Sequence, residues 1–302
     1  MPFVLKTMMV PARQKAFLYL MRELGYSQNE AQSLICRGRM LQNEIPITRS
    51  AQEIEGAIEL ILFEPLTKGL KPHSVEEEFV VFEKPSGMLV HPQNRYTEYS
   101  LIDELKAQFG SDANIAHRID QETSGLVLCG RNKQSERDLK MLFETRNIQK
   151  KYLAMVHGKM EEETVVDAPL LRENVSNAQV RMVVKVDPSG KDSLTRFRAL
   201  RYFPETDTTL VECAPLTGRQ HQIRAHLFHV KHPIVGDPVY GQSDDNLTRY
   251  LDRELSREER ITLSGARRLL LHANELEFEL YGKKYTIKSD TDFEEVCFLN
   301  MK

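Results

Sequence analysis

The stretch "NIAHRIDQETSGLVLCGRN", Asn114 to Asn132, sets an imidazole, a guanidinium, two carboxylates and two hydroxyls between His117 and Gly125, then turns apolar. Two more polar clusters stand beside apolar runs. In "KKYLAMVHG", Tyr152 follows Lys150 and Lys151. In "PLTGRQHQIRAHLFHVKHPIVGDPVYG", the segment from Pro215 to Pro233 carries Arg219, Arg224, Lys231 and four histidines but no carboxylate. That is a local basic field in a chain whose formal charge is −3. Loops held by a rigid sheet commonly carry function, so all three clusters are candidates.

Several chemistries fail on residue type and spacing. Ser124 in "ETSGL" lacks the G-x-S-x-G elbow that brings a nucleophilic hydroxyl within reach of a base. His221, His226, His229 and His232 have Asp237 as their only nearby carboxylate. On a helix, His226 and His229 share a face while His221 lies with Arg224, whose charge repels a divalent ion, so no metal site is expected. Neither a Walker pattern nor G-x-G-x-x-G is present, so no nucleotide, nicotinamide or flavin cofactor is expected. A carboxylate, a phenol and guanidinium groups remain. They suit a reaction without redox change or group transfer, an isomerisation or a lyase-type step.

These groups need elements to hold them. With 302 residues and 41 % apolar composition, the chain is long enough for one large core and a smaller satellite. "RQKAFLYLMREL" is apolar at Phe17, Leu20, Met21 and Leu24, the stripe of a buried helix that Gly25 closes. Ser27 and Glu30 form a capping box opening a second helix that stops at Gly38, and "IELILFE" from Ile58 alternates like a half-buried strand. "EPLTKGLKPHS", Glu64 to Ser74, reads as a linker. Beyond it, strand-like runs begin at Phe79, Gly125, Tyr152, Val180, Thr208 and His272, with helical patterns at Ser100–Phe109, Lys133–Glu144 and Gln220–Val230. Strands and helices do not alternate regularly. The expected class is therefore α+β with a mixed, mostly antiparallel sheet, with domains at 1–70 and 75–302. Cys36, Cys129, Cys213 and Cys297 lie far apart in apolar surroundings, which predicts buried thiols in a reducing compartment. No apolar window of about 18 residues appears, so a soluble cytoplasmic protein without membrane contact is expected.

The helix, the capped helix, "CRGRMLQNEIPI" and the closing strand resemble the small RNA-binding module named after the fourth small-subunit ribosomal protein. Arg37 and Arg39 fit it. Asn43-Glu44 replaces its usual Asn-Gly turn, and six Glu stand against three Arg from Gly25 to Glu64. A plain packing domain is the alternative. Further along, "AHRIDQETSGLVL" resembles the H-R-L-D-x-x-T-S-G-L motif of the RluA-type pseudouridine synthases, with Ile119 in place of Leu. "KPSGMLVHP", "KKYLA", "GRQHQIRAHL", "HPIVGDPVYG" and "LLLHA" follow that family's pattern in order between Lys84 and Ala273. The charged link "SDDNLTRYLDRELSREERITLSGARR" is longer than the family's.

The resemblance implies an RNA uridine isomerase without metal or organic cofactor, with Asp120 as nucleophile, Tyr152 stacked on the target base and Arg224 partnering Asp120. Attack on the uracil ring and attack on the anomeric carbon both stay open. So does a proton-shuttling role for Tyr152, whose phenol with a pKa near 10 is a better stacking platform than a base. An aspartate with an ordinary pKa of about 3.9 is already ionised, so Arg224 is expected to orient Asp120 and keep it charged once water is excluded. Arg118 is implied to fill the space left by a flipped base, a place that suits a planar guanidinium. His117, Arg219, His221 and Gln222 complete the expected substrate contacts. Leu270 or Leu271 supplies an apolar contact or is ordinary strand core. Glu122 reads as a surface charge or a supporting acceptor, Asp103 as the cap partner of Ser100, and Asp237 as a turn-forming residue. Thr123, Ser124 and Gly125 read as the turn that starts the strand "LVLC". Seven basic residues against three acidic from Arg131 to Lys151 read as phosphate contacts or as a solvated helix face. The expected partner is RNA, ribosomal RNA of the large subunit ahead of transfer RNA, bound by a monomer. A non-catalytic RNA-binding or assembly factor and a lyase that releases free uracil are the alternatives.

Overall fold

The computed structural model describes residues 2–174, 182–252 and 254–301. The N-terminal unit consists of β1 (Phe3–Lys15), α1 (Ala16–Leu24), α2 (Gln28–Cys36), β2 (Met40–Gln42), β3 (Ile45–Pro46) and β4 (Glu53–Phe63). Its strands form one antiparallel sheet in the order β1-β4-β2-β3. The two helices share a separate core with it, built around Tyr19, Leu20, Ile35, Met40, Ile54 and Leu60. Gly25 closes α1 at φ 67°, a left-handed conformation that glycine adopts without penalty. Ser27 and Glu30 form the expected capping box. Asn43 and Glu44, at φ 54° and 66°, make the tight β2–β3 turn.

Three expectations change here. The first 15 residues include a 13-residue strand whose register shifts between Val10 and Gln14, around Pro11. Proline has no amide to give a ladder, and a bulge tolerates that lack. Cys36 is exposed, because it ends α2 on the side away from the core. The linker also ends sooner, since β5 takes Pro72–Val75. Buried Glu104 anchors what remains, accepting hydrogen bonds from Thr67 Oγ1 at 2.8 Å, from the Leu70 amide at 3.3 Å and from the Lys68 amide.

The larger unit continues with β6 (Phe79–Lys84), α3 (Leu101–Phe109), β7 (Asn114–Ile115), β8 (Ser124–Gly130), α4 (Lys133–Glu144), β9 (Ile148–His157), β10 (Glu163–Asp167), β11 (Leu170–Asn174) and β12 (Met182–Val186). Then come β13 (Leu194–Phe203), β14 (Thr208–Pro215), α5 (Gln222–His229), α6 (Asp244–Leu251), α7 (Arg257–Ser264), β15 (Leu271–Leu280), β16 (Lys283–Lys288) and α8 (Phe293–Asn300). The strand expected from Val180 is described from Met182; its first two residues lie outside the described residues. Among the described residues a ten-stranded sheet runs β10-β13-β14-β9-β15-β8-β6-β5, with β16 on β15 and β7 on β8. The class is α+β, as expected, and no helix among the described residues is long and apolar enough to cross a membrane.

β6 and β8 are covered on both faces, which is why "FVVFEK" and "GLVLCG" read as continuous apolar runs. Val80, Phe82, Val127 and Cys129 pack under α3. Phe79, Val81, Leu126 and Leu128 pack with Leu139 of α4. The strand pairs in this sheet are antiparallel except β8 with β15, which run parallel through His272↔Ser124 and Ala273↔Gly125. Ser124 and Gly125 thus already belong to the strand. At Gly125, with φ 108°, a Cβ would stand 2.3 Å from the Ala273 carbonyl oxygen. Only glycine lets these two backbones meet, and the loop carrying Asp120 opens at that junction.

Candidate active site

The Asp120 loop is held at both ends. At its start, the His117 ring stacks on Phe143 with centroids 4.3 Å apart, and its Nε2 accepts the Leu128 amide at 3.0 Å. Burial and then the Lys150 charge push its pKa down to about 3, so the ring stays a neutral acceptor. Past Asp120, the Gln121 carbonyl accepts hydrogen bonds from Lys84 Nζ at 3.0 Å and from the Gly87 amide at 2.8 Å. Lys84 is fully buried and also donates to the Pro85 and Met88 carbonyls at 3.0 and 2.9 Å. Burial pulls its pKa to about 7, yet three acceptors call for three N–H donors, which only the ammonium has.

Arg224 rises from α5 to meet this loop. Its Nη1 donates to Asp120 Oδ2 at 3.2 Å, while Nε and Nη2 donate to the two oxygens of Asp237 at 2.7 and 2.8 Å. The guanidinium is 2 % exposed and Asp237 1 %, whereas the Asp120 side chain keeps 20 %. Burial disfavours the Arg224 charge, but the charge and hydrogen bonds of Asp237, and then Asp120, outweigh it and raise the pKa. Asp237 also accepts the Val239 and Tyr240 amides at 2.8 and 3.0 Å. It is the expected turn residue and, beyond that, the fixed counter-ion of Arg224. The Tyr240 ring lies 5.2 Å from the same guanidinium, and its hydroxyl and His221 Nδ1 are 3.2 Å apart. His221 enters α5 in left-handed backbone at φ 53°, with Nε2 3.8 Å from Asp120 Oδ2. Burial and then Arg224 lower its pKa to about 4.

Asp120, Tyr152, Arg118, Arg219, His221 and Leu271 line one pocket of about 420 Å³, a volume within the ordinary range for small-molecule sites. Tyr152 stands in β9 opposite Cys213 on one side and Ala273 on the other, packed against two core clusters. Burial and then the Asp120 charge raise its pKa, so the phenol stays neutral. The charged lining is Arg118, Lys140, Lys150, Arg219 and Arg224 against Asp120 and Glu144. Lys150 points into this field with Nζ on the Thr217 carbonyl at 3.3 Å, and burial and then Arg146 lower its pKa to about 8.

Three expected contacts take other roles. Leu270 is wholly buried in the core, so Leu271 is the residue that faces the pocket. Gln222 borders the pocket, but its amide is already engaged. Its Oε1 accepts Thr217 Oγ1 and the Arg219 amide, and its Nε2 donates to the Leu194 carbonyl and Thr195 Oγ1. It shapes the loop under Arg219 and has no donor left for a ligand. His117 gives its Nε2 to the backbone and presents the rest of its ring. The histidines of the basic segment diverge. His226 is buried between Thr195 and the Ala168 carbonyl, and His232 bonds the His157 carbonyl.

Sequence reasoning missed Lys84, Asp237 as counter-ion, and Tyr240. The quoted motifs contain all three, but residue type alone does not say which partner each meets. The basic run splits as well. Lys140 and Lys150 reach the pocket, while Lys133 pairs with Asp112, Lys151 with Glu275, and Arg131 with the Glu76 carbonyl. Glu122 turns away from Asp120 toward Tyr250, whose hydroxyl is 3.4 Å from Oε1.

A family model described as RNA pseudouridylate synthase matches residues 78–229. A Helicobacter pylori (strain J99) protein named "uncharacterized RNA pseudouridine synthase" is 40 % identical over 290 residues, covering 96 % of both chains. The ribosomal large subunit pseudouridine synthase D of Nitrosomonas europaea is 35 % identical over 173 residues, 56 % of this chain and 48 % of its own. The tRNA pseudouridine(31) synthase of Saccharomyces cerevisiae is 36 % identical over 194 residues, 59 % of this chain and 47 % of its own. Among solved structures, human RNA pseudouridylate synthase domain containing 4 superposes with a TM-score of 0.56 at 25 % identity, covering 74 % of this chain and 89 % of that one.

Proposed function

The chain belongs to the RNA pseudouridylate synthase family, and on that premise we propose that it isomerises specific uridines of large-subunit ribosomal RNA with Asp120 as nucleophile. The observation that carries this reading is a carboxylate at the mouth of a cationic pocket, oriented by an arginine whose other edge is locked on a buried aspartate.

The target uridine leaves its stack at a cost of a few kcal/mol. Arg118, exposed at the pocket rim, occupies the gap, and the cationic walls receive the phosphates. Tyr152 stacks on one face of the uracil and Leu271 touches the other. Asp120 forms a transient covalent bond, at the ring or at the anomeric carbon, which breaks again when the product is complete and returns the free carboxylate. The bond from the sugar to N1 breaks, the uracil turns, and a bond from the sugar to C5 forms. C5 loses its proton and N1 gains one, so atoms and electrons balance without redox change. Arg224 keeps Asp120 charged and aimed once the base excludes water. No metal or organic cofactor enters this scheme.

Residues 75–302 act in this reading as the catalytic unit and 1–70 as a module on the RNA side. In this reading the protein works as a monomer on cytoplasmic RNA. The Nitrosomonas relative supports the ribosomal target, while the yeast relative, named for a tRNA position, supports a transfer RNA target as the second reading.

Mapping pseudouridine across all cellular RNA with the gene intact, deleted, or carrying Asp120→Asn is the test. A site in large-subunit RNA lost in both altered strains is the expected result. A site lost only from transfer RNA transfers the reading there, and an unchanged map refutes it.

A further inference from the structure

A cleft of about 770 Å³ separates the N-terminal unit from the larger one. Arg37 and Arg39 line it from the α2–β2 turn, and Arg95 and Lys106 from the opposite wall, with no Asp or Glu in its lining. Among the described residues, Arg37, Arg39 and Arg95 have no carboxylate at ion-pair distance. The Arg39 guanidinium lies 4.9 Å from the Phe3 ring centroid and that of Arg95 4.8 Å from Tyr96. Both are braced by an aromatic ring, and Arg95 Nη2 also donates to the Tyr96 hydroxyl at 2.5 Å. Burial and then the Arg37 charge lower the Arg39 pKa, so these cations crowd one another without an anion between them.

The cleft leads toward the chemistry. Gln93 lines it and also lines a second groove of about 930 Å³, whose walls include Gln121, Glu122 and Arg268. That groove runs along the residues that follow Asp120. His91, on the cleft wall, has its pKa lowered by desolvation and then by Arg118 and Lys140 of the pocket and Lys106 of the cleft.

We propose that the cleft between the two units is a second RNA-binding site, taking the phosphate backbone of the substrate strand away from the target uridine. It rests on the reading that the substrate is RNA, and it alters the role of the N-terminal unit. That unit is nearly balanced, with eight Lys and Arg against seven Glu in residues 1–70, and it contributes one wall of a shared channel. Three arginines without a carboxylate partner, with Lys106 held on the Ser111 carbonyl beside them, suit sequence-independent phosphate contact, which positions a strand without reading its bases.

The test uses the full chain and an in vitro transcript of large-subunit ribosomal RNA as probe, in filter binding across a potassium chloride series. Arg37→Glu and Arg95→Glu are exposed changes on opposite walls. Each is expected to weaken binding by about 10-fold near 0.1 M salt and to flatten the log–log salt slope by about one. The single-turnover rate at saturating enzyme is expected to stay within about twofold, since these residues act on affinity alone. Arg49→Glu, on the same unit outside the cleft, is the charge control and should bind more tightly than either. Equal loss in all three variants, or none in the two cleft variants, overturns the proposal. A wild-type enzyme that binds the transcript but makes no pseudouridine in it overturns the substrate reading instead, while the cleft is still judged by the binding series.

Discussion

Arg224 divides its guanidinium between two aspartates of opposite circumstance: Asp237 is buried and receives two of its N–H groups, while Asp120 is partly exposed and receives one, at 3.2 Å. The first pair fixes the arginine and the second uses it. Removing one partner of a buried pair strands the other charge, and that costs more than the pair itself contributes.

Asp237→Ala should therefore lower unfolding free energy by about 3–5 kcal/mol. Asp120→Ala, at the pocket mouth, should change it by less than about 1 kcal/mol. Urea denaturation of the two variants checks this. Equal losses would mean that Arg224 does not distinguish its partners.

In the proposed mechanism Tyr152 is a stacking surface, so Tyr152→Phe should bind a single-stranded uridine-containing RNA within about twofold of the parent, while Tyr152→Ala should lose about 1–3 kcal/mol of binding. Fluorescence anisotropy measures both. A phenylalanine variant that binds as weakly as the alanine variant would move the binding role from the ring to the hydroxyl. Turnover of the phenylalanine variant reports separately on proton shuttling.

Acid should destabilise the fold through its neutral histidines. His117 is held to about 3, and His221 and His272 to about 4, with burial the first cause in each. Unfolded histidine titrates near 6.5, so below that pH the unfolded chain binds more protons than the native one. Their contribution is complete above pH 6.5 and is lost as pH falls from there toward 4, with a slope of up to about 1.4 kcal/mol per unit for each histidine. Urea midpoints at pH 7, 6 and 5 follow the effect, and a flat profile from 7 to 5 would contradict it.

Gly125→Ala places a Cβ against the Ala273 carbonyl in a left-handed backbone, so β8 and β15 must separate. A loss of more than about 3 kcal/mol is expected. Gly69→Ala, also at positive φ but with open space around it, should cost only about 1 kcal/mol. Thermal melts of the pair separate steric contact from backbone preference; equal shifts would deny the close approach.

Much of the local structure was legible because its causes are local. Lys133–Glu144 forms a helix with the bounds that its apolar spacing implies, and Ser27 and Ser100 make capping boxes with Glu30 and Asp103. β1 was not legible, since Pro11 interrupts its pattern and only its pairing with β4 makes it a strand. Arg118, Asp120, Tyr152, Arg219, His221, Arg224 and Leu271 were recognisable from motif resemblance, and they do meet at one pocket.

The sequence by itself determined the candidate groups, the class of fold and the family, because residue type, spacing and short-range capping are written along the chain. The tertiary structure decided how those groups are used. Asp120 and Asp237 are both aspartates in polar loops, and only the fold buries one and exposes the other on the two edges of Arg224. Leu270 and Leu271 are neighbours of one kind, and the fold turns the second toward the pocket. Such differences come from which distant strands close against one another, a property of the whole sheet that no local pattern carries.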